Sequence, residues 1–360
     1  MSKSMSMRDL TVMLTASGSQ FAPGIIKCFK KNGEREISVI GGDMGSNPSN
    51  KYLVDKFYQI PSAKAPDYVQ KVVEICEKEK VDILFPQMSA ELSAYLDNIN
   101  LFKEIGTLVS MTLNENVKVA NNKLKLYCFL KKCGIPVPEY ECVYSIEEFD
   151  DAVVKLGYPD YPVCVKLTES SGSRGIRIID NKRSRFDLFA YEKPASLYTS
   201  LQNLRSILLE PAQFPELLLM KYLPGEEYTV DLLADHGKVL YIAGRRNPVM
   251  LMSISQETIL EKNERAYQIA EQVVSKLGLD GNIGLDFMFD ADGYVQLMEV
   301  NPRLDATVSL CAAGGLNLPY LRVKQLLGET LPELTVKYGV NLKRRYLEMF
   351  IDADGQLMDW

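Results

Sequence analysis

The residues most able to do chemistry lie at the end of one predicted strand, in the stretch LMEVNPRLDATVS (297–309). The apolar run Tyr294–Met298 predicts a strand that enters a core, and Glu299, Asn301 and Arg303 follow it at alternate positions. Because side chains alternate across a strand, Glu299 and Asn301 share one face. The strand therefore aims a carboxylate and an amide the same way, with a guanidinium just beyond them.

A second carboxylate belongs to the same predicted hairpin, NIGLDFMFD and GYVQLMEVN joined by DADG (290–293). With a loop of two or four residues, Asp286 opposes Leu297 and lies diagonal to Glu299, roughly 7–8 Å away at the backbone. A three-residue loop would reverse the register and remove Asp286 from the group. Asp286, Glu299 and Asn301 offer only oxygen ligands, which favours Mg²⁺ or Mn²⁺ over Zn²⁺. Solvated strand ends are the alternative on spacing alone.

A Gly/Ser-rich loop follows a second predicted strand, in VKLTESSGSRGI (165–176). Its glycines allow close backbone approach, its amides and hydroxyls can hold phosphate oxygens, and Lys166 adds a point charge. No GK[ST] follows, so this is not a Walker loop. A plain surface hairpin is the alternative reading. The loop residues concerned are Ser171, Gly172, Ser173 and Gly175.

A third candidate is LLLMKYLPGEEYTVD (217–231), an apolar strand that turns at Pro224-Gly225 into two glutamates. An exposed strand edge between two lobes can pair its backbone with an adenine, and an acid shortly beyond it can bind ribose hydroxyls. A plain β-turn with solvated glutamates is the alternative. The residues of the predicted edge are Met220, Lys221, Tyr222 and Leu223.

The elements that position these residues form two parts, which differ in their pattern of predicted strands and helices. The first third alternates strands and helices, which predicts a doubly wound parallel sheet with ligands at the carboxyl ends of its strands. The predicted strands are 10–15, 36–42 and 81–87, the helices are 21–31, 65–79 and 89–102, and the strand ends are 15–20, 41–46 and 86–91.

The remainder predicts an α+β domain with antiparallel sheets. After a helix at 114–134 come strands at 162–167, 175–180, 216–223, 227–235 and 238–244, and a helix at 259–278 precedes the hairpin. We expect an N-terminal domain over 1–113, a second domain over 114–335 whose small lobe is about 135–220, and a C-terminal segment, 336–360, that packs on it.

The composition excludes several classes of protein. The 47 Asp and Glu outnumber the 41 Lys and Arg, and no dense basic run offers a nucleic-acid groove. No run is long enough to span a bilayer, and MSKSMSMRDL (1–10) lacks the apolar segment of a signal peptide. The seven cysteines form no CxxC pair. We expect a cytoplasmic protein with no membrane or nucleic-acid partner.

The order of these motifs resembles the ATP-grasp superfamily, and within it the single-chain ligases similar to carbamoyl phosphate synthase large chains. NNKLKLYCFLKKCGIPVP (121–138) is similar to the family's Asp-Lys helix, with Lys123 in the nucleotide-binding position and Asn122 in place of the usual Asp. EVNPR (299–303) is the most specific element. The N-terminal block resembles the family's pre-ATP-grasp domain, so the resemblance covers nearly the whole chain.

The resemblance implies a role for each motif. Lys123 and Lys166 would contact ATP phosphates, under a loop at 169–175. Arg303 would steady the transferred phosphoryl group. The adenine would lie against residues 220–223, the ribose on Glu227, and Mg²⁺ or Mn²⁺ on Asp286, Glu299 and Asn301. Relatives often carry Gln or Glu where Asp286 stands.

The expected reaction is ADP-forming ligation, in which a carboxylate attacks the γ-phosphate and an amine captures the acyl phosphate. Positioning and charge neutralisation suffice for phosphoryl transfer, which suits a chain whose only histidine, His236, lies in a predicted turn. We expect a loop at 244–256 to help close the site, with Arg246, and as a further candidate Arg245, reaching the substrate carboxylate or the γ-phosphate. Cys311 has no visible base nearby and is expected to pack.

Three other readings stay open. The first is phosphorylation of bicarbonate or carbamate, as in carbamoyl phosphate synthesis, although the full synthase uses two ATP-grasp halves and this chain has one. The second is a non-catalytic ATP-binding protein. An NAD-dependent dehydrogenase ranks last, because TASGSQFAPG (15–24) contains no GxGxxG. The expected partners are a small carboxylate and an amine, and a homodimer is an open alternative to a monomer.

Overall fold

The computed structural model describes residues 7–168, 174–192, 196–251 and 254–358. The N-terminal part is a five-stranded parallel sheet in the order β3-β2-β1-β4-β5, which confirms the predicted doubly wound sheet. Its strands are β1 Leu10–Leu14, β2 Ile37–Asp43, β3 Lys56–Gln59, β4 Ile83–Phe85 and β5 Leu108–Val109. Its helices are α1 Ala22–Lys30, α2 Tyr68–Glu79, α3 Ser89–Asp97 and α4 Ile99–Glu104.

Alternation along the strands gives this sheet two apolar faces, as a parallel sheet requires. Val12 and Leu14 pack towards α1, whereas Met13 packs towards α2. Strands β3 and β5 were not predicted, and the helix predicted at 89–102 is divided at Asn98.

The helix predicted at 114–134 is also two helices, α5 Asn116–Ala120 and α6 Lys123–Lys132. The division has a local cause, because Asn122 adopts an extended backbone and its side chain accepts a hydrogen bond from the Lys125 amide. Asparagine is as good an N-cap as aspartate. The Asn in place of the usual Asp therefore leaves Lys123 at the first position of α6.

The next residues form a small lobe around a second five-stranded sheet, ordered β6-β10-β7-β8-β9. Its strand pairs are antiparallel except β8–β9, which is parallel. The strands are β6 Tyr140–Val143, β7 Val163–Leu167, β8 Ile176–Ile179, β9 Tyr198–Thr199 and β10 Leu217–Lys221. The helices are α7 Ile146–Lys155, α8 Arg185–Tyr191 and α9 Leu201–Leu208.

The third sheet is antiparallel and six-stranded, ordered β15-β14-β11-β12-β13-β16. Its strands are β11 Glu227–Asp235, β12 Lys238–Leu251, β13 Ile254–Leu260, β14 Gly281–Phe289, β15 Val295–Asn301 and β16 Asn341–Lys343. The accompanying helices are α10 Glu264–Leu277, α11 Ser309–Ala313 and α12 Leu318–Leu326. The antiparallel second part of the predicted fold class is thereby confirmed.

Two predictions for this sheet are wrong. The helix predicted from residue 259 begins at Glu264, because Asn263 caps it and residues 259–260 pair within β13. The closing loop predicted at 244–256 is largely strand, since β12 continues to Leu251 and β13 begins at Ile254. Only residues 252–253, between the two strands, lie outside the described residues.

A shared apolar core joins the N-terminal sheet to the third sheet. Leu14 and Phe85 of the first sheet belong to one buried cluster with Leu304, Val308 and Leu321. Ion pairs between Arg35 and Glu329 and between Lys324 and Glu34 border this core. The segment after β15 is thus held against the carboxyl ends of the N-terminal strands.

Within the described residues, no helix combines the length and the apolar character needed to cross a bilayer.

Candidate active site

A cavity of about 470 Å³ lies between the small-lobe sheet and the third sheet, and it reaches the carboxyl ends of the N-terminal sheet. Its volume is within the range of small-molecule sites. It brings together residues from all three predicted motifs. The predicted residues that line it are Lys123, Lys166, Met220, Lys221, Tyr222, Leu223, Glu227, Asp286, Glu299, Asn301 and Arg303.

One face of the third sheet supplies the acids. Asp286 pairs with Thr229 on one side and with Glu299 on the other, so their side chains point the same way. Asn301 lies two residues along the same face as Glu299 and donates from Nδ2 to Asp286 Oδ2 at 2.9 Å. The face therefore gathers Asp286, Glu299 and Asn301, as the sequence predicted for this group.

The loop length and the strand register of this hairpin both differ from the predicted ones. Its loop has five residues, Asp290–Tyr294, and Phe287 pairs with Leu297. An odd loop alone would have removed Asp286 from the group. A β-bulge between the Asp286 and Phe287 pairs adds Met298 to β15, and Glu299 then opposes Asp286 directly. The bulge restores the shared face.

Two lysines approach the acids from the other side of the cavity. Lys123 Nζ lies 3.0 Å from Glu299 Oε2, and Lys166 is buried on β7. The α6 start is tied to the small lobe, because the Lys123 amide donates to the Thr168 carbonyl at 3.4 Å. Burial disfavours the charge of Glu299, but Lys123, Lys166 and Arg303 outweigh it and hold the pKa of its carboxyl below the usual range.

The neighbouring acids have no comparable compensation. Burial, with Glu227, Asp305 and Glu299 close by, raises the pKa of Asp286 well above its usual range, although Arg245 opposes this. Burial raises the pKa of Glu227 to about 7, with Asp305 and Glu299 contributing and Arg245 opposing. The described residues therefore do not supply enough positive charge to keep all of these carboxyl groups ionised.

The donor set fits a hard divalent cation. Asn301 turns the positive end of its amide towards Asp286 and Glu299, with Nδ2 at 2.9 Å and 3.4 Å from their oxygens. A positive group is therefore already placed where a cation would neutralise both carboxylates. Carboxylate and amide oxygens are the ligands that Mg²⁺ takes. Asp286, Glu299 and Asn301 are the residues that could hold it.

Arg303 is fixed between the third sheet and the N-terminal sheet. Its guanidinium donates to Asn301 Oδ1 at 3.0 Å, to the Leu304 carbonyl at 3.0 Å and to Ser89 Oγ at 3.4 Å. None of these acceptors is a carboxylate. The guanidinium therefore donates its hydrogen bonds only to uncharged groups, and its charge acts on Glu299 across space. Such a group suits an anionic ligand.

The two adjacent arginines of β12 point to opposite faces. Arg245 is buried in the cavity wall, donating to Asp231 Oδ2 at 2.9 Å and to Asp305. Arg246 faces away from the cavity and pairs with Glu226 at 2.7 Å and Glu261 at 3.1 Å. The prediction that Arg246 reaches substrate is wrong, because β12 continues as a strand and alternation turns Arg246 outward.

The hinge between the lobes is held by backbone contacts. Tyr222 N donates to the Pro162 carbonyl at 3.2 Å, and Gly225 N donates to the Phe289 carbonyl at 3.0 Å. A Cβ at position 225 would lie 2.6 Å from that carbonyl oxygen, so the turn requires glycine. Met220, Lys221 and Leu223 line the cavity beside this hinge.

The Gly/Ser loop is only partly described. Ser171, Gly172 and Ser173 lie outside the described residues. Gly175 immediately precedes β8 and has a φ of +66°, and a Cβ there would overlap the Leu167 side chain at 2.4 Å. Both features require glycine at this position.

Several polar residues in or next to the cavity were not predicted as site residues. Asp231 and Asn247 continue the alternation of the same face beside Arg245, and that alternation was the signal that could have found them. Asp305 follows the end of β15 and carried no periodic signal. Cys311 is buried, and its Sγ lies 3.6 Å from Asp231 Oδ2. His236 lies in the turn between β11 and β12, where the sequence predicted a turn.

Comparisons with known proteins agree with this architecture. Residues 213–346 match the family model described as ATP-grasp in the biosynthetic pathway with Ter operon. Residues 12–110 match the PylC-like N-terminal domain. The chain is 26% identical over 288 residues to the carbamoyl phosphate synthase large chain of Clostridium acetobutylicum, covering 77% of this chain and 25% of that protein.

Solved structures share the fold. N5-carboxyaminoimidazole synthetase from Staphylococcus aureus, complexed with ADP, matches with a TM-score of 0.67 at 16% identity, covering 92% of this chain and 81% of that one. The biotin carboxylase domain dimer of the Hydrogenobacter thermophilus 2-oxoglutarate carboxylase, bound to MgADP, ADP and bicarbonate, matches with a TM-score of 0.67 at 18% identity, covering 92% and 73%.

The match of residues 213–346 to an ATP-grasp model and of residues 12–110 to a PylC-like N-terminal domain, together with the shared fold, confirms the resemblance to the ATP-grasp superfamily seen in the sequence. Within that superfamily the chain is similar to carbamoyl phosphate synthase large chains, and it spans about a quarter of the length of those curated relatives.

Proposed function

We propose that this protein is an ATP-dependent ligase that joins a carboxylate to an amine through an acyl phosphate and releases ADP and phosphate. One observation supports this above the others. Lys123, Lys166 and Arg303 line the same cavity as the oxygen ligands Asp286 and Glu299. Phosphoryl transfer needs little from a protein beyond such positioning and neutralisation of charge.

The nucleotide is assigned to the cavity between the two lobes. Lys123 and Lys166 would contact its phosphates, residues 220–223 would hold the adenine, and Glu227 would bind the ribose. Mg²⁺, with Mn²⁺ as the alternative, would be held by Asp286, Glu299 and Asn301, where it would neutralise phosphate charge. The two solved neighbours described above bind ADP, and one of them binds MgADP.

The chain's own groups then organise the transfer. Arg303, whose hydrogen bonds go only to uncharged groups, is assigned to the charge that develops as the phosphoryl group moves. The segment 169–175 is assigned to closing the site, because an acyl phosphate hydrolyses in water. The acceptor end of the cavity, beyond Arg303, is lined by Phe21, Gln87 and Thr307.

A release assay tests the proposal. Pairs of carboxylates and amines are incubated with ATP and Mg²⁺, and ADP and phosphate are measured. We expect ADP release that requires both members of a pair, with an amide as the product. Nucleotide binding without ADP release for any pair would favour the non-catalytic reading.

Bicarbonate is a second candidate for the activated carboxylate. A solved neighbour binds it, and the curated relatives make carbamoyl phosphate. Bicarbonate-dependent ADP release that needs no other carboxylate would support this candidate and contradict ligation of an organic acid.

We further propose small molecules as its partners in the cytoplasm. The neighbour with bicarbonate is a domain dimer, and a homodimer is proposed for this chain on that likeness. Sedimentation equilibrium of the purified protein would separate dimer from monomer.

A further inference from the structure

The arginines that are not fully exposed fall into two groups. Most have a carboxylate partner, and these are Arg35, Arg183, Arg245, Arg246 and Arg322. Among the described residues that are buried or half-buried, Arg303 and Arg344 have none. Arg303 is explained by the proposed phosphoryl transfer. Arg344 is not.

Arg344 is held in one orientation by backbone groups. Its amide donates to the Gln256 carbonyl at 2.9 Å, which extends the edge strand β16. Its Nε donates to the Ser255 carbonyl at 2.8 Å, and Nη2 donates to the Ala306 carbonyl at 3.1 Å and to Thr307 Oγ1 at 3.2 Å. Its Nη1 donates to no described residue. One end of the guanidinium is therefore fixed and the other is available.

The charge of Arg344 is not compensated by its surroundings. Burial and the nearby positive charge of Arg245 lower the pKa of Arg344, and Asp305 opposes this only in part. Asp305 is already committed, because it accepts from Arg245 and from the Thr307 amide at 2.9 Å. A half-buried cation without a counter-charge is costly unless an anion binds it.

The position of Arg344 points to the acceptor end of the cavity. Three of the residues that it contacts, Ser255, Ala306 and Thr307, line the cavity. Arg303 binds the Leu304 carbonyl and Arg344 binds the Ala306 carbonyl, two residues further on. Two peptide units at that spacing are at most about 7 Å apart along the chain. The acceptors of the two guanidinium groups therefore lie on one short segment that borders the cavity.

A second, independent feature marks the same end of the cavity. Gln87 lines it and is only 1% exposed, and its Oε1 has no hydrogen-bond partner. Its Nε2 donates to the Pro86 carbonyl at 3.1 Å. The oxygen is therefore the atom of this amide that lacks a partner. A buried acceptor without a donor costs free energy. A ligand with an N–H group could donate a hydrogen bond to Gln87 Oε1.

We propose that Arg344 binds a carboxylate of the acceptor substrate, distinct from the carboxylate that is phosphorylated, so that the acceptor is an amine that also carries a carboxylate. The two N–H groups of Nη1, which donate to no described residue, can form charge-assisted hydrogen bonds to that group. The Gln87 amide oxygen accepts from the nitrogen of the same substrate. This assignment rests on the proposed ligase function and makes Arg344 a specificity-determining residue.

The test uses the full-length protein with Mg²⁺ and ADP. Thermal shift and calorimetry compare a panel of amino acids with the corresponding carboxamides, which lack the carboxylate charge. We expect at least one amino acid to bind the wild-type protein about tenfold or more tightly than its carboxamide, as loss of a charge-assisted hydrogen bond implies. Arg344→Met should remove this preference, and Arg344→Lys should restore only part of it.

Arg345→Met is the matched control, because Arg345 is the exposed neighbour and should leave the preference unchanged. The proposal is overturned if no amino acid in the panel binds the wild-type protein more tightly than Arg344→Met. It is also overturned if Arg344→Met still binds amino acids more tightly than their carboxamides. Stabilisation by Mg²⁺ and ADP alone is recorded on the same samples. Its absence would contradict the proposed function separately, whatever the amino acids show.

Discussion

The two faces of the third sheet are built from alternate residues of the same strands, yet they differ in what they contribute. Towards α10, Leu285 and Phe287 are fully buried in an apolar core. Between them, Asp286 faces the cavity among other acids. On β15, Val300 is buried in the same apolar core, whereas the neighbouring Glu299 lies beside Lys123, Lys166 and Arg303.

The difference shows how one sheet supports both stability and chemistry. The α10 face is stabilised by removal of apolar surface from water. The cavity face holds carboxylates whose raised pKa values record unfavourable burial of charge. Such a face is tolerated because the other face fixes its backbone. Substitutions on the two faces should therefore have different consequences.

The largest effect is expected from Glu299→Gln on the cavity face. The amide keeps the volume but loses the ion pair with Lys123 and an oxygen ligand for the metal. ADP release should fall by at least about 10³-fold with any productive substrate pair. Circular dichroism should show an unchanged fold. Near wild-type turnover would show that Glu299 does not hold the metal.

Arg303→Lys should have the next largest effect. A point charge cannot replace the guanidinium that donates to both Asn301 and the Leu304 carbonyl. Turnover should fall by about 10²–10³-fold while ATP affinity, measured by calorimetry, changes little. Normal turnover in this variant would remove the role assigned to Arg303.

Leu285→Ala tests the opposite face. The side chain is fully buried against the α10 core, so its loss should lower the free energy of unfolding by about 2–5 kcal/mol. Urea unfolding measures this. The variant that remains folded should still bind ATP, because the ligands face the other way. A loss of binding without a loss of stability would contradict the division between the faces.

The adjacent arginines Arg245 and Arg246 of β12 allow the stability contributions of the two faces to be compared at neighbouring positions. Arg245→Met leaves Asp231 and Asp305 buried without their partner, which should cost about 3–5 kcal/mol of stability. Arg246 pairs with glutamates that are nearly half exposed, so Arg246→Met should cost less than about 1 kcal/mol. Equal losses in urea unfolding would contradict the assigned orientation of β12.

The sequence predicted those features that follow from periodicity and from a specific motif. Alternating strands and helices predicted the parallel sheet, and the spacing of Glu299 and Asn301 predicted a shared face. The resemblance carried by EVNPR predicted the superfamily that the comparisons confirm. The ligand roles of Asp286, Glu299 and Asn301 stay predictions.

Features that depend on local irregularity or on distant contacts could not be predicted. The bulge at Met298 has no sequence signal, yet it decides where Asp286 points. A loop was expected at 244–256, so the alternation of β12, which turns Arg245 and not Arg246 towards the cavity, was not used to separate the two candidates. Arg344 meets Ala306 only through the pairing of β16 with β13, which local patterns do not reveal.

The order of the chemical steps tests the central claim most directly. A substrate pair that supports ADP release is supplied with ¹⁸O in its carboxylate, and the released phosphate is analysed by mass spectrometry. The account predicts one labelled oxygen in the phosphate and ADP as the nucleotide product, because the carboxylate oxygen attacks the γ-phosphate and leaves with it. Unlabelled phosphate, or AMP with pyrophosphate, would contradict it.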